Sequence, residues 1–550
     1  MVADLFRDAP IGQIINWLSN GRLLPFPEQR LGYEAPRRYL LPAKVVGDAP
    51  ASDAATLCGG KSEDGSKTLT APELKRQSTL VAMMDDLEKQ QADVDNGPIP
   101  DPYLVGWDGD SDPENPRNWT FKKRAFVAFC ISFYTFSIYI GSAIYTPSIP
   151  GLMVEYDVSL THATLGLTLY ILGYGLGPMF LSPLQELARL GRNPVYLLGL
   201  LLFVIFQIPL VTAKNIETPR TRDWGKFFPG ASMGDLFPDN QLAYVIGVWA
   251  LGATAGPITG PVIGSFAAQA KSWRWPMMEL IWITSFAFVF LMIFLPETYE
   301  PTILLRRAER LRKLTGNPEL QTAAERKDAS KTPGDLAYEA LVRPFILMGE
   351  PALAFASIYL GFAFPLVFTD IYHFNLGQSS LPFLAFIYTV YCLYQHYHLK
   401  PRIDAIESTG PGVEAPPEIR LEIGLMASIF IPTSILIFGF TSKASINWIV
   451  PVIGAGLYLP GIFTIFQSIL MYCTMAYKDH AASVLAGNDL FRSSIASVFP
   501  LFGRALFVNL GLGPGSAMLA GISFALMPVY WLLLKYGHNL RRRSKYAVSP

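Results

Sequence analysis

Cysteine is scarce, with four residues in 550: Cys58, Cys130, Cys392 and Cys473. They are scattered without ligand spacing and three fall inside apolar runs, which argues against a disulfide framework or a zinc site. Histidine is equally thin, with six dispersed residues and no His/Cys/Asp constellation, so neither a metal nor enzyme chemistry is expected. Charged residues make up only 16% of the chain and cancel to a formal net charge of zero. That excludes the global basic surface that draws nucleic acid. The opening stretch, Met1 to Pro10, is charged and poor in apolar residues, so a secretory signal is not expected and the first apolar run would act as the insertion signal. What abounds is apolar: 51% hydrophobic residues, with 13% aromatic, gathered in long runs.

A hydrocarbon core about 30 Å thick takes roughly 20 mostly apolar residues per helix. Eleven stretches meet that need, beginning near Ala125, Ala163, Pro194, Leu242, Met277, Pro351, Leu381, Ile423, Trp448, Ala481 and Gly513. The chain therefore reads as an all-α integral membrane protein. A soluble N-terminal extension occupies 1–121, an N-terminal membrane half 122–296, a charged middle loop 297–345, a C-terminal membrane half 346–536 and a basic tail 537–550. Two apolar halves around a hydrophilic loop are an internal-repeat pattern of secondary transporters. The Leu381 stretch is apolar only to about Tyr394 and the Pro351 stretch is interrupted by Pro365. Missing residues and a functional break both explain them.

Basic residues set an orientation. Lys122, Lys123 and Arg124 precede the first run, and Arg189 and Arg192 follow the second. Arg306, Arg307, Arg310, Arg312 and Lys313 follow the fifth, Lys400, Arg402 and Arg420 precede the Ile423 run, and Arg541, Arg542, Arg543 and Lys545 close the chain. All would be cytoplasmic, with both termini, only if a further span lies between Thr212 and Leu242. Yet residues 214–229 read KNIETPRTRDWGKFFP. Each lysine or arginine at a bilayer centre costs roughly 2.5–3.5 kcal/mol on the insertion scale, so this segment is not a helix in lipid. Span four is missing.

Before the first run, Ile11, Ile14, Ile15 and Leu18 recur at helical spacing beside Asn16 and Ser19, giving a short amphipathic helix. Two readings stand for it: a helix on the membrane surface and one packed against the body. Residues 47–116 are polar, then acidic and rich in proline and glycine, and read as a disordered tether. Asn118-Trp119-Thr120 fits a glycosylation acceptor, but the basic cluster after it should keep it cytoplasmic and unused.

Three motifs carry more. At the end of the first run, Gly141 is followed by Pro147 and Pro150, and prolines kink a membrane helix that its neighbours must repair. Between the second and third runs stand Gly177, Glu186, Arg189, Gly191 and Arg192, one carboxylate and two guanidiniums on a short turn. Such charges pair across helix ends and part when halves rock, whereas plain positive-inside decoration would explain the arginines alone. In the Leu242 run, Gly252, Gly256, Gly260 and Gly264 fall four apart, with Pro257 and Pro261 between them. That spacing makes a smooth face for a neighbouring helix. A phosphate loop is excluded by the lack of a following Lys-Ser/Thr and of a preceding strand. Asp489 and Arg492 lie three apart on the Ala481 run, about 12 Å of helix into it. Ionisable residues at that depth are functional candidates, and a pair that merely locks helices together is the alternative.

In this order the motifs resemble the major facilitator superfamily, and more narrowly the fungal twelve-span drug:proton antiporters, the branch of multidrug, caffeine-resistance and polyamine exporters. Similar too are the opening Asp4 to Asp8, the string Asp112 to Trp119, Trp273-Arg274-Trp275, Leu295 to Tyr299, Gly487 to Arg492 and Phe499 to Arg504. The resemblance covers about residue 101 to the end. It implies a fold of two six-helix halves, here with eleven recognisable spans. It also implies export of small drug-like or cationic compounds by proton antiport and alternating access. A proton gradient would be the energy source, with no cofactor and no metal. The expected partners are the lipid bilayer, a small-molecule substrate and protons, for a monomer in the plasma or vacuolar membrane. Tyr170, Trp249, Tyr359 and Phe466 are candidate pocket aromatics.

The resemblance breaks at span four, which in this family carries an arginine followed by a Gln-Gly pair implicated in proton coupling. Here Gly230 to Phe237 looks like the end of that span, and the Arg-x-x-Gln-Gly element is absent. A truncated, inactive relative and a mis-joined gene model are the alternative readings. A sugar or other small-metabolite porter is a further one, carried by Pro296-Glu297-Thr298.

Overall fold

The computed structural model describes residues 2–39 with short interruptions, 101–212, 231–329, 390–408, 415–477 and 481–544, apart from a few single positions. Segment 214–229, the Pro351 run with Tyr359, and the start of the Leu381 run lie outside the described residues. Among the described residues every regular element is helical, with one isolated bridge between Leu104 and Gln321.

Among the described residues, seven helices are long and apolar enough to cross a membrane. They fall within Phe121–Tyr156, Leu160–Glu186, Gln241–Ala270, Trp275–Phe294, Pro417–Thr441, Ile449–Ala476 and Leu512–Arg543. A shorter apolar helix covers Asn193–Pro209. We label the helices α1 (Val2–Asp8), α2 (Pro10–Leu18), α3 (Phe121–Ile144), α4 (Ile149–Tyr156), α5 (Leu160–Leu181) and α6 (Asn193–Val211). Next come α7 (Ala231–Leu236), α8 (Asp239–Ala270), α9 (Trp275–Phe294), α10 (Glu300–Thr315) and α11 (Ala323–Ala329). The later part holds α12 (Lys400–Glu407), α13 (Glu422–Ala427), α14 (Phe430–Thr441), α15 (Ile449–Ala476), α16 (Ala481–Leu510) and α17 (Leu512–Arg543). The sixteenth is a 30-residue helix that carries Asp489 and Arg492 along its length.

The proline motif acts at the end of the first span. α3 stops at Ile144, Pro147 sits in a single 3₁₀ turn over Thr146–Ser148, and Pro150 lies in the first turn of α4. Pro178, Pro257, Pro261, Pro460 and Pro528 remain inside helices. Such positions are tolerated in a membrane bundle because neighbouring groups satisfy the freed carbonyls.

The four-apart glycines of α8 face α3. A methyl on Gly252 would lie 2.8 Å from the Ser132 carbonyl, and one on Gly256 2.8 Å from the Ile140 amide. On Gly260 it would meet the Ile140 carbonyl at 2.9 Å, and on Gly264 the Ile144 carbonyl at 2.8 Å. The backbones approach so closely that no side chain fits, the small-residue packing by which membrane helices gain contact.

The chain divides into two compact units. The first joins Met1–Phe26, Trp107–Ile303 and Lys327–Pro550, and the second joins Pro27–Gly106 and Leu304–Arg326. In the second, Tyr39, Val105, Ala308, Leu311 and Leu320 make a small core, and buried Glu28 pairs with Arg307 and Arg310 at 3.3 and 3.0 Å. The acidic stretch read as tether is folded from residue 101 onward. The Val105 amide donates to the Gln321 carbonyl at 2.8 Å. Buried Asp112 accepts from the amides of Asp108 and Glu114, so the acidic string is a capped turn rather than solvated coil.

Candidate functional site

The buried charges lie on α16, which packs against α5 and α15. α16 approaches α5 at Gly175, where a methyl would come within 2.8 Å of Ser493 Cβ and 3.1 Å of Leu490 Cα. Met179, Ala486 and Leu490 close that seam. Asp489 and Arg492 are 1% and 3% exposed and form an ion pair on one face of the helix. The Arg492 guanidinium stacks 5.2 Å from the centre of the Phe466 ring of α15. Phe466 stacks in turn on Trp249 of α8, centroids 6.3 Å apart, and Trp249 Nε1 donates to Thr135 Oγ1 of α3 at 2.8 Å. The Tyr139 phenol of α3 stands beside the same ion pair. One connected set of polar and aromatic groups thus joins four helices in the bundle interior.

A charge kept from water is costly unless it is paired and hydrogen-bonded. Here the partner is three residues away on the same helix, so the pair forms as soon as the helix does. Both rings are buried here, Phe466 carrying the guanidinium and stacking on Trp249, and flat, electron-rich faces of this kind favour cations and planar apolar compounds. Nearby, Gln467 Nε2 donates to the Ala243 carbonyl at 3.1 Å, tying α15 to α8.

A second polar centre lies at the end of the bundle marked by Lys123, Arg192 and Arg541, here called the basic end. Arg192 binds Asp235 of α7 through Nε at 2.6 Å and Nη2 at 3.0 Å, and its guanidinium stands 5.0 Å from the Tyr299 ring centre. The Glu297 carboxylate accepts from the amides of Arg192 and Asn193, capping α6 where a helix start favours negative charge. Gly191 has φ +75°, and a methyl there would meet Glu297 Oε2 at 2.6 Å, so this turn admits only glycine. Glu186 reaches the first turn of α16, accepting from the Ser483 amide at 3.1 Å and from its hydroxyl at 3.2 Å. The later helices carry a comparable buried pair, Arg541 with Glu418, at 2.8 and 2.9 Å.

The residues singled out in the sequence thus sort into places. Trp249, Phe466, Asp489 and Arg492 come together. Tyr170 does not join them: it packs on Phe203, donates to the Ile138 carbonyl at 3.3 Å and covers Gly141, whose missing side chain makes room for its hydroxyl. Glu186, Gly191 and Arg192 meet partners at the basic end, Gly177 is buried within α5, and Arg189 is exposed to solvent. Tyr359 lies outside the described residues. Sequence reading did not single out Thr135, Tyr139, Gly175, Asp235, Gln467 or Ser483. Only Gly175 had a local signal, the close-set glycines at 173, 175 and 177.

The family model described as Major Facilitator Superfamily matches residues 131–219 and 228–500, and the interruption falls inside the charged segment at the position of span four. Transporter mfs1 of Schizosaccharomyces pombe is 39% identical over 475 residues, covering 81% of this chain and 88% of its own. The cycloheximide resistance protein of Candida maltosa is 35% identical over 583 aligned positions, covering 99% of this chain and 100% of its own. Among solved structures, the proton:xylose symporter XylE is similar with a TM-score of 0.51 at 9% identity, over 76% of this chain and 97% of that one. At that identity the likeness is one of fold.

Proposed function

This chain belongs to the major facilitator superfamily, and we propose that it exports small drug-like or cationic compounds by proton antiport with alternating access. It is a multi-pass membrane transporter of that superfamily and not an enzyme. The finer reading is carried by one observation: an ion pair buried in the bundle interior, stacked through Phe466 on Trp249. Asp489 is the proton acceptor in this reading, and once it is protonated the uncompensated Arg492 guanidinium repels a cationic substrate and favours its release. The aromatic pair receives the apolar or cationic body of the compound. The resistance phenotype in the name of the Candida maltosa relative supports a drug-like substrate class.

Alternating access, in this reading, works through the basic end. The contact of Glu186 with Ser483 ties the turn after α5 to the start of α16, and opening the bundle at that end must break it. A carboxylate at a helix N-terminus is favourable enough to hold a closed state and weak enough to release it. In this reading the basic end is cytoplasmic, both termini lie there, and the protein works as a monomer in the plasma membrane on substrate and protons alone.

The test is flux in vesicles containing the purified full chain, with a fluorescent lipophilic cation and an imposed pH gradient. Antiport requires cation movement against the proton movement, and its collapse on adding a protonophore. Gradient-independent flux, or flux of a neutral sugar in place of the cation, overturns the antiporter reading. No flux from monodisperse, inserted protein favours the inactive relative that the charged segment 214–229 suggests.

A further inference from the structure

α2 buries the wrong face for a helix packed only against protein. Its inward residues are Gly12 and Asn16. The backbone of α1 crosses so closely at Gly12 that a methyl there would clash with the Phe6 carbonyl, and the Asn16 amide donates to the Leu24 carbonyl at 2.8 Å. The large apolar side chains point the other way. Ile14, Trp17 and Leu18 are 45%, 78% and 70% exposed, and Leu23 is exposed beside them in sequence. Residues at i, i+3 and i+4 share one helix face, so these make a patch rather than isolated exposures.

The place of this patch indicates what covers it. Asp8, the last residue of α1, holds Lys123 at 3.0 Å, in the first turn of α3. Both short helices also pack on α9. α3 and α9 run antiparallel, because Phe126 meets Phe290 and Phe294 while Phe133 meets Phe286. The α1–α2 hairpin therefore sits where two membrane-crossing helices emerge on one side. Those helices show apolar residues outward, Trp282, Phe286 and Val289 on α9 and Phe121 and Phe129 on α3. The α2 patch is held beside these helices by the Asp8–Lys123 pair and the packing on α9. Exposed Arg22 lies beside it in sequence, and exposed Lys122 is the neighbour of the Lys123 that Asp8 holds, both suited to headgroup phosphates.

We propose that α1–α2 is an interfacial anchor. α2 lies in the headgroup layer of the leaflet at the basic end, with Ile14, Trp17 and Leu18 sunk about 5–10 Å into the boundary with the acyl chains. Through Asp8 and Lys123 the hairpin then fixes the level at which α3 enters the membrane.

The experiment uses the full chain in vesicles of mixed zwitterionic and anionic lipid. A Trp17→Cys variant carries an environment-sensitive fluorophore, and a Ser111→Cys variant at an exposed turn serves as the aqueous control. Anchoring predicts strong quenching at position 17 by lipids bearing a nitroxide near the headgroup. It also predicts iodide access on the order of fivefold lower than at 111. Adding Ile14→Glu and Leu18→Glu should return position 17 to iodide while the protein stays monodisperse. Equal iodide quenching at 17 and 111 overturns the proposal, since the face would then lie in water. Protection from both quenchers also overturns it, because protein, such as a second copy of the chain, would be the cover. Lipid quenching that survives the two glutamates overturns it as well.

Discussion

Arg192 and Arg492 are both buried, both face an aspartate, and both stack on an aromatic ring at about the same distance. They differ in where the partner comes from. Arg192 reaches Asp235 on another helix, and Thr298 and Glu297 join the same cluster from a third segment. Arg492 pairs within its own helix. Any motion that slides α6 against α7 must break the first pair, whereas α16 can tilt or translate with the second intact. A cross-helix pair bonded through both Nε and Nη2 of the guanidinium is a clamp. A same-helix pair facing aromatic rings is a charge that can be carried from one state of the bundle to another. The two arginines look alike by burial and chemistry, and only connectivity separates the roles.

The largest effect should come from breaking the clamp. Arg192→Ala leaves half-buried Asp235 without its guanidinium while the amide bonds to Glu297 remain, and removing one member of a buried pair costs up to about 3–5 kcal/mol. Thermal unfolding in detergent, followed by the folded fraction on size exclusion, should show most of the protein lost. An Arg192→Ala protein that melts like the parent would mean that the cluster around Glu297 holds this end without the guanidinium.

Next in size is a change to the carried pair that keeps the fold. Replacing both members, Asp489→Leu with Arg492→Met, removes the two charges together, and such swaps are often neutral for stability. Folded yield should stay near the parent while proton-driven flux falls by at least about tenfold, equivalent to about 1.4 kcal/mol at the coupling step. Flux that survives the double change would make the pair a lock and nothing more, and the contrast with Arg192 would vanish.

How much of this was readable beforehand follows the same division. The Asp489–Arg492 pair was legible because its spacing of three puts both on one face of any helix. The glycines of α8 were legible for a similar reason, since a period of four fixes a face, and the structure presses that face on α3. Asp235 was invisible as a partner for Arg192, because 43 residues and the charged segment separate them. Trp249, Phe466 and Tyr170 were equally plausible pocket residues by type. Only packing decides that the first two stack together and that the third fills the space above Gly141. The acidic end of the 47–116 stretch misled because capped turns and solvated coil share a composition. What tells them apart is whether Asp112 finds amides to bind.

The smallest effect should come from an arginine pair that is not buried, and it sets the baseline for the other two. Arg326 and Asp101 meet at 2.6 Å with side chains 40% and 39% exposed, in the smaller unit. The hydrogen bond from Arg326, with a second from the Tyr103 amide, holds the Asp101 carboxyl below its ordinary value of 3.8. A depressed carboxyl stabilises the fold above its unfolded pKa, and that contribution is lost as pH falls through the lowered value. Exposure and screening limit it to about 0.2–1 kcal/mol. Spin labels at Leu104→Cys and Gln321→Cys, the two partners of the bridge between these segments, report whether they stay together. Asp101→Asn should broaden their distance distribution slightly at pH 7 and make no difference once pH lies well below 3.8, where the parent's carboxyl is protonated too. Separation of the segments at pH 7 would put an exposed pair on a par with Arg192. Burial would then no longer explain why one arginine clamps and another merely decorates.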